Sequence, residues 1–326
     1  MFQRRQILQA LGASALVASA PQLLAQTFPS KPIRIVVPFG AGGVADLTVR
    51  AVGQKLSENL GQPVVIDNRP GAGGVVAGEL VAKADPDGHT LLLMSNGTAV
   101  SAGLFRSLPF NTRTDFAPVS LLGQFDMAVV VPENSPHKTL GDLIAFGRAN
   151  PGKLNIGSPQ VGTTQNLAAE LLVSSAGLQA QIVPFNGTPP VITALRGGNL
   201  DAMVEILGPV MGQIKSGALR PLAVLSERRG AALPDVPAVR EAGGSLAQFQ
   251  ASSWNGLAVP AKTPREVVQR LNKELQVILS MPDVKARLSE LSLYAQGSTP
   301  EQVGDILQAD IKRWADVIAR AKIEKK

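Results

Sequence analysis

Short apolar runs alternate with amphipathic stretches along most of the chain. In the first third, strands are predicted at Ile33–Val37, Val64–Asp67 and Thr90–Ser95, with helices near Val44–Leu60 and Val75–Ala84 between them. A strand, a helix and a further strand in this order favour a parallel sheet, because parallel neighbours need a long crossover connection. The first third is therefore predicted to be an α/β unit.

A second series of the same kind begins at the apolar run Ala128–Val131, which Pro132 ends. Its predicted helices and strands lie near Leu140–Ala149, Asn155–Ser158, Thr164–Ala176, Gln181–Pro184, Pro189–Gly197, Ala202–Ile206 and Leu219–Leu225. The pattern thus predicts two α/β halves.

The C-terminal part returns to helices. The pairs Thr263-Pro264 and Thr299-Pro300 mark two helix starts, since an N-cap followed by proline at the first position is typical there. In the last helix, apolar residues that include Trp314 recur at spacings of three and four. Such a stripe must pack against the rest of the protein, so Trp314 is predicted to be a core residue.

Composition excludes several classes of protein. With 326 residues, 45% hydrophobic and 17% charged, the chain can fold into two domains and is not a disordered one. The 31 Lys and Arg residues exceed the 25 Asp and Glu residues only mildly, and no dense basic block or aromatic platform occurs. We therefore predict no nucleic-acid partner, while a small anionic ligand fits the charge.

Candidate catalytic and metal-binding residues are scarce in this sequence. There is no cysteine, and the two histidines, His89 and His137, stand outside any known metal or catalytic motif. We interpret His89 as part of a turn into a strand and His137 as a solvated loop residue. The sequence also lacks the nucleophile-elbow, zinc-protease and Walker motifs, so we predict no enzyme, no metal and no cofactor.

The N-terminus has the features of an export signal. Arg4 and Arg5 precede an apolar stretch of small residues, with cleavage expected after Ala20 or Ala25. The paired arginines resemble a twin-arginine signal, and the Sec route stays open. A membrane anchor is the alternative, which the polar residues within the stretch disfavour. We expect residues 1–26 to be removed and the mature protein to act in the periplasm.

Loops rich in glycine and hydroxyl groups follow several predicted strands. The first runs from Pro38 to Asp46 and leads into a helix, where backbone N–H groups can hold an anion without a basic side chain. Similar loops are Ser95–Thr98, Ser158–Gln165 and Phe185–Pro190. Because ligands bind at the carboxyl ends of strands in open parallel sheets, we expect these loops to line one crevice.

A dinucleotide site is an alternative interpretation of the first loop. Gly40, Gly42 and Ala45 match the pattern G-x-G-x-x-A, and Asp67 ends the next predicted strand. Pro38 interrupts the junction of strand and glycine, and the acid comes late. We therefore disfavour the dinucleotide interpretation.

A series of short motifs runs along the mature chain: Pro29–Phe39, Gly61–Val65, Asn68–Gly74, Asp85–Leu91, Asp115–Val119, Ala149–Leu154, Leu233–Pro237, Ser253–Leu257 and Pro260–Pro264. Through them the chain resembles the Bug-type extracytoplasmic solute receptors of tripartite tricarboxylate transporters. The resemblance implies an α/β, type II-like periplasmic binding protein fold, with two domains, each a mainly parallel sheet flanked by helices, and a ligand cleft between them. It implies that residues 27–126 and 250–326 form one domain and residues 127–249 the other.

The resemblance also implies a site. In this family, backbone amides, hydroxyls and ordered waters from loops facing the cleft hold a carboxylate. Carried over to this chain, the ligand-binding residues are Phe39, Ala41, Gly42, Asp46, Ser95, Asn96 and Thr98 from the first domain and Gln160, Thr163, Thr164, Gln165, Phe185, Gly187 and Thr188 from the second. We interpret Asp46 as a helix cap, since its charge would repel a carboxylate.

One position departs from the family pattern. Relatives commonly carry an aspartate and then a polar or small residue after the strand Ala202–Val204, whereas this chain has Glu205 and Ile206. We expect Glu205 to bind the end of the ligand distal to the first carboxylate, such as an amine or a hydroxyl.

The function that this resemblance implies is capture of a small carboxylated compound by domain closure. The ligand would be a di- or tricarboxylate, an acidic amino acid or an aromatic acid. A monomeric receptor would deliver it to the permease subunits of a tripartite tricarboxylate-type transporter. Two alternatives stay open: an exported sensor that presents its closed form to a membrane signalling protein, and an exported enzyme with Asp46 or Glu205 as base.

Overall fold

The computed structural model of the chain describes residues 28–159, 161, 163–230 and 232–325. The predicted export signal and Gln160 lie outside these residues. The strands are β1 (Ile33–Val37), β2 (Val64–Asn68), β3 (Thr90–Ser95), β4 (Phe116–Phe125), β5 (Met127–Pro132), β6 (Leu154–Ser158), β7 (Ala180–Pro184), β8 (Ala202–Ile206), β9 (Leu219–Val224), β10 (Ser253–Pro260) and β11 (Leu293–Ala295). The α-helices are α1 (Val44–Leu60), α2 (Val75–Ala82), α3 (Asn96–Leu104), α4 (Leu140–Ala149), α5 (Thr164–Ala176), α6 (Thr188–Arg196), α7 (Leu207–Lys215), α8 (Arg265–Ser280), α9 (Pro282–Glu290) and α10 (Pro300–Arg320).

The strands form two sheets, each flanked by helices. One sheet has the order β11-β4-β10-β3-β1-β2, and the other has the order β7-β6-β8-β5-β9. We call each sheet with the helices packed on it a lobe, the first lobe containing β1 and the second containing β8. The predicted α/β fold with two flanked sheets is confirmed. The domain boundaries stay a prediction.

One correction concerns strand direction. The sequence predicted mainly parallel sheets, but both sheets are mixed. In the first, β1 pairs in parallel with β2 and β3, whereas β10 runs antiparallel to β3 and β4, and β11 runs antiparallel to β4. In the second, β6 pairs in parallel with β7 and β8, whereas β5 runs antiparallel to β8 and β9. The antiparallel strands β4, β5 and β10 adjoin the passages of the chain between the lobes. Strand direction at these passages cannot be predicted from the alternation of strands and helices in the rest of the chain.

The chain passes between the lobes twice. It leaves the first sheet at the end of β4 and enters the second at Met127, with Asp126 as the residue between them. It returns between the end of β9 and Ser253, where the Ala251 amide donates to the Leu225 carbonyl and the Leu225 amide to the Met127 carbonyl, both at 2.8 Å. The two passages are thus held side by side.

The hydrophobic core extends across both lobes. One continuous cluster includes Val36 and Trp254 of the first lobe and Val129 and Leu167 of the second. The last helix, α10, contacts α3 and β4 of its own lobe and α5 of the other. Its stripe is buried as predicted, with Trp314 fully shielded from solvent. The C-terminal helix therefore packs on both lobes.

One helix start and one histidine differ from the predictions. Helix α8 begins at Arg265 with Pro264 as its N-cap, so Thr263 does not cap it; the Pro264 backbone is extended. His137 was expected to be solvated, but it is buried and its ring lies 4.9 Å from that of Phe146. The His89 ring is buried as well, and its Nε2 accepts the Ser30 amide at 3.1 Å. Among the helices described, none is long and apolar enough to cross a membrane.

Candidate functional site

The first glycine-rich loop joins β1 to α1 and is organised around Asp46. The Asp46 side chain is 1% exposed, and its Oδ2 accepts the Gly42 amide at 2.8 Å. Gly42 has φ +80°, a left-handed conformation that favours glycine. Phe39, Ala41 and Gly42 themselves are exposed. The loop is thus fixed by an internal acceptor while its outer surface stays open to solvent.

Asp46 is also held by two side chains that the sequence alone did not single out. Arg50 Nε donates to Oδ2 at 2.8 Å, and Asn68 Nδ2 donates to Oδ1 at 2.9 Å. Burial acts to raise the pKa of Asp46, but the hydrogen bonds from Arg50, the Gly42 amide and Asn68 outweigh it, so its pKa is lowered. Asp46 is therefore an ionised anchor of the loop. The spacing of four residues between Asp46 and Arg50 on one helix could have indicated this ion pair from the sequence.

The predicted loop Ser95–Thr98 is the start of a helix in the structure. Ser95 is the N-cap of α3: its Oγ accepts the Gly97 amide at 3.1 Å, and Thr98 Oγ1 accepts the Ser95 amide at 3.1 Å. This corrects the loop prediction for Ser95–Thr98. The N-terminus of α3 carries a positive dipole end, which favours an anion next to it.

Asn96 differs from its neighbours because its side chain is fully buried. Its Nδ2 donates to the Ser252 carbonyl at 2.7 Å, and its Oδ1 accepts Trp314 Nε1 at 2.8 Å. Both polar atoms of this side chain have partners inside the protein. Any contact of Asn96 with a ligand is therefore left to its backbone.

The two parts of the first lobe's site meet at a small cavity. Its volume is about 10 Å³, and its lining includes Phe39 from the first loop and Ser95, Gly97 and Thr98 from the start of α3. This space is close to the size of one water molecule. The structure thus brings predicted residues from β1 and β3 together.

In the second lobe, two helix starts carry the predicted residues. Thr163 is the N-cap of α5, and its side chain accepts the Asn166 amide at 3.3 Å. Thr164 is buried in the first turn. Helix α6 begins at Thr188 after Gly187, which has φ +102° and donates its amide to the Phe185 carbonyl at 2.9 Å. The half-buried Phe185 packs against the core beneath α6 and α7.

Glu205 is the penultimate residue of β8, and its carboxyl group interacts with Gln165 of α5 and Thr188 of α6. It is 0% exposed, and its Oε1 accepts Gln165 Nε2 and the Ile206 amide, both at 2.8 Å. Its Oε2 has no hydrogen-bond partner among the described residues. Burial raises the pKa of Glu205 against the opposing effects of Gln165, Thr188 and the Ile206 amide.

The strand registers place both halves of the site on the side of the interlobe passages. In the first lobe, Ser95 at the end of β3 lies opposite Asn255, near the start of β10. In the second lobe, Ile206 at the end of β8 lies opposite Met127, the first residue of β5. Met127 and Ser253 are where the chain enters and leaves the second lobe. The carboxyl ends of β3 and β8 are thus both adjacent to the passages.

The dinucleotide interpretation of the first loop gains no support from the geometry. Asp67, the acid of the dinucleotide pattern, is bound by Arg34 and Arg69. Within the described part of the chain, no group of three or more acidic or histidine side chains could hold a metal ion.

One buried acid, Asp126 in the first interlobe passage, was not predicted from the sequence. Burial raises its pKa against hydrogen bonds from Ser226 and Tyr294. Its Oδ2 lies against Gly230, where a Cβ atom would approach it to 2.3 Å. The available signal was an acid inserted between two apolar strand segments.

Comparison with known proteins identifies the family. A family model described as tripartite tricarboxylate transporter family receptor matches residues 48–323. The chain is 33% identical to Protein BugT of Bordetella pertussis over 306 residues, which cover 93% of each chain. The chain thus belongs to the tripartite tricarboxylate transporter receptor family, and the resemblance predicted from its motifs is confirmed.

Two solved structures extend this comparison. An R. palustris protein solved with adipate has a TM-score of 0.80 and 30% identity, covering 91% of this chain and 99% of that one. MatC from Rhodopseudomonas palustris with bound malate has a TM-score of 0.76 and 32% identity, covering 89% of this chain and 100% of that one. The fold is therefore that of a solute-binding receptor, and both of these relatives bind carboxylates.

Proposed function

We propose that this protein is a periplasmic receptor that captures a small carboxylated organic compound between its two lobes. It then delivers the compound to a permease of the tripartite tricarboxylate type. The protein acts by binding and closure and does not transform its ligand.

The observation that carries this proposal is the arrangement of helix starts. Helices α1, α3, α5 and α6 each begin directly after the carboxyl end of a strand or a short loop from it. Helix N-termini offer unpaired backbone N–H groups and a positive dipole end, so together they suit a carboxylate without any basic side chain. Arg50, an arginine near the first loop, already pairs with Asp46.

Relatives support the ligand class. Adipate and malate, the compounds bound in the two solved relatives, are both dicarboxylates. A ligand with one carboxylate at the α1 and α3 starts would reach across the cleft to the α5 and α6 starts. Contacts to both lobes would then stabilise the closed state over the open one, which is how a ligand shifts such an equilibrium. A permease can distinguish the loaded receptor by that closed shape.

A thermal-shift screen of the mature chain tests the proposal. The panel comprises aliphatic di- and tricarboxylates, hydroxy acids, acidic amino acids and aromatic acids. Binding to the native state raises the melting temperature, by ~2.7 kcal/mol of stabilisation at a hundredfold excess over Kd. We expect a shift with at least one carboxylate that is recovered unchanged by mass spectrometry. A flat panel would contradict the carboxylate ligand, and consumption of the acid would support the enzyme alternative.

A further inference from the structure

The two oxygens of the Glu205 carboxyl group are in unequal surroundings. Oε1 accepts two hydrogen bonds, from Gln165 Nε2 and from the Ile206 amide, both at 2.8 Å. Oε2 is buried and has no partner among the described residues. A carboxylic acid places its acceptor oxygen and its O–H in this same asymmetric way, so Oε2 is the oxygen suited to carry a proton.

Within the described part of the chain, no positively charged group pairs with Glu205. The groups that act on it are the Gln165 amide from α5, the Thr188 hydroxyl from α6 and the Ile206 amide before α7, all of them uncharged. Its neighbour across the antiparallel pair is Ala128 on β5. A buried carboxylate without a cation is costly, and the group responds by holding its proton.

Asp126 is the nearby acid that must be considered beside Glu205. Its backbone carbonyl accepts the Leu207 amide at 3.0 Å, and Leu207 is two residues after Glu205. The backbones of the two acids are therefore near each other. The Asp126 side chain, however, lies against Gly230 and interacts with Ser226 and Tyr294. The Asp126 carboxyl group is therefore not among the groups that act on Glu205.

The position of Glu205 connects this chemistry to a ligand. It is the penultimate residue of β8, which pairs with β6, and the helices that follow β6 and β7 supply Gln165 and Thr188. Crevices at the carboxyl ends of such strands are where open α/β sheets bind ligands. A ligand bound at these strand ends would lie beside the end of β8 that carries Glu205 and its unpartnered Oε2.

We propose that Glu205 binds the far end of the ligand as a neutral acid, with its Oε2–H donating a hydrogen bond to the second acid group of a dicarboxylate. This inference rests on the proposed function and replaces the amine or hydroxyl expected from sequence. The Glu205 proton is retained in the complex. Where the free protein has lost that proton, ligand binding takes one from solvent.

The proposal gives a defined dependence on pH. Above the pKa of Glu205 in the free protein, affinity for a dicarboxylate falls with rising pH, by up to about tenfold per unit. An ammonium-ended ligand would behave in the opposite way, because it needs the ionised form of Glu205.

Calorimetric titration with matched probes tests this. Two series keep one carboxylate and vary the far end: adipate, 6-hydroxyhexanoate, 6-aminohexanoate and hexanoate, and the four-carbon set succinate, 4-hydroxybutanoate, 4-aminobutanoate and butanoate. We expect the diacid of one series to bind at least tenfold more tightly than its monoacid, and its affinity to fall towards the alkaline end of a titration from pH 5 to pH 10. In the pH range where affinity falls, titrations in buffers of different ionisation enthalpy should show proton uptake.

Two variants separate the role of Glu205 from a general effect of charge. Glu205→Gln keeps a donor at this position, so we expect diacid binding within about fivefold of the parent and no dependence on pH. Glu170→Gln is the matched control, because Glu170 is a half-buried acid on α5 whose pKa burial also raises. It should leave both affinity and pH dependence unchanged.

An infrared measurement tests the Glu205 proton directly. In the diacid complex, the parent should show a carboxylic-acid C=O band that Glu205→Gln removes and Glu170→Gln leaves. Absence of that band in the complex would overturn the proposal.

The binding outcomes distinguish this inference from the proposed function. Equal binding of a monoacid and its diacid, or tighter binding of the amino compound, would overturn the role of Glu205 and leave the receptor function standing. Failure of every probe in both series would count against the role of Glu205. A flat result in the wider acid panel as well would count against the receptor function.

Discussion

Trp314 donates its indole N–H to Asn96 Oδ1 at 2.8 Å, a bond between the last helix and the first residue of α3. The same Asn96 side chain donates to the Ser252 carbonyl in the passage that returns from the second lobe. One buried amide thus fixes the start of α3 to both α10 and an interlobe passage. The candidate ligand surface of α3 is therefore positioned by parts of the chain far from it in sequence.

Replacing Asn96 with alanine should destabilise the protein strongly. The change leaves the Trp314 N–H and the Ser252 carbonyl buried without partners, and each unpaired group costs about 1–3 kcal/mol. Urea unfolding should show a total loss of about 2–5 kcal/mol.

Trp314→Phe is the companion to this variant, because it removes the indole N–H together with part of a buried ring. Its loss therefore includes the cost of a cavity, and the double variant should lose less than the sum of the two. Additive losses would show that the two residues are not coupled.

Gly42→Ala should weaken ligand binding through the backbone of the first loop. Gly42 has φ +80°, and no atom lies within 4 Å of the point where an alanine Cβ would sit. The change therefore introduces backbone strain alone, about 1–2 kcal/mol. We expect a lower melting temperature and a rise in Kd for the acid found in the thermal-shift screen.

Gly43→Ala is the matched control for this change. Gly43 has φ −75°, a conformation open to any residue, and the nearest neighbour of its added Cβ would lie at 3.6 Å. It should leave stability and Kd near the parent values. Equal effects of the two variants would contradict the role assigned to the backbone of Gly42.

Asp46→Asn should destabilise the protein at neutral pH and not in acid. The pKa of Asp46 is lowered in the fold, so its contribution is present above the unfolded value of about 3.9 and is lost as pH falls through the folded value. Because Arg50 is half-exposed, we expect a loss of only about 1–2 kcal/mol at pH 7.

Urea unfolding between pH 3 and 7 measures this difference. Asp316→Asn is the control, since Asp316 forms an exposed pair with Lys312 that should contribute about 0.3–0.5 kcal/mol. A loss in Asp46→Asn that is constant across this pH range would contradict an ionised anchor.

Asp126→Asn should stabilise the protein at neutral pH, whereas Asp46→Asn should destabilise it. Burial raises the pKa of Asp126 in the fold, so the native state binds more protons than the unfolded state between the two pKa values. Stability therefore falls as pH rises through that window. The variant, which cannot ionise, should melt at a higher temperature than the parent at pH 7.5, and the gap should close at pH 4.

The exposed acid Asp305 on α10 supplies the control for Asp126. Asp305→Asn should change the melting temperature little at either pH. If Asp126→Asn lowered the melting temperature at pH 7.5, hydrogen bonds from Ser226 and Tyr294 to the carboxylate would outweigh its burial.

Periodicity alone predicted much of the fold. The bounds of β1, α1 and α5 agree with the structure, because each has a clear apolar pattern and recognisable ends. Helices α3, α7 and α9 were not predicted. The first is Asn96–Leu104, whose small residues form no contrasting polar face, and the second contains Gly208 and Pro209 near its start. Proline and glycine there resemble a turn, although the first helical turn tolerates proline.

The sequence predicted which loops contribute to the site, but it did not predict which side chains form hydrogen bonds there. Glycine and hydroxyl residues after strands pointed to the helix starts, since their chemistry is local. The bonds from Trp314 to Asn96 and from Gln165 to Glu205 join distant parts of the chain and leave no local pattern. The burial that keeps Glu205 from solvent likewise depends on the packed fold.

The most direct test of the receptor function compares an acid with its uncharged ester. The acid with the largest thermal shift and its methyl ester are titrated into the mature protein by calorimetry, and the acid is then recovered and weighed by mass spectrometry. We expect one acid bound per chain, binding at least tenfold weaker for the ester, and the acid returned unchanged. Equal binding of acid and ester, no binding of any acid, or conversion of the acid would contradict a carboxylate receptor.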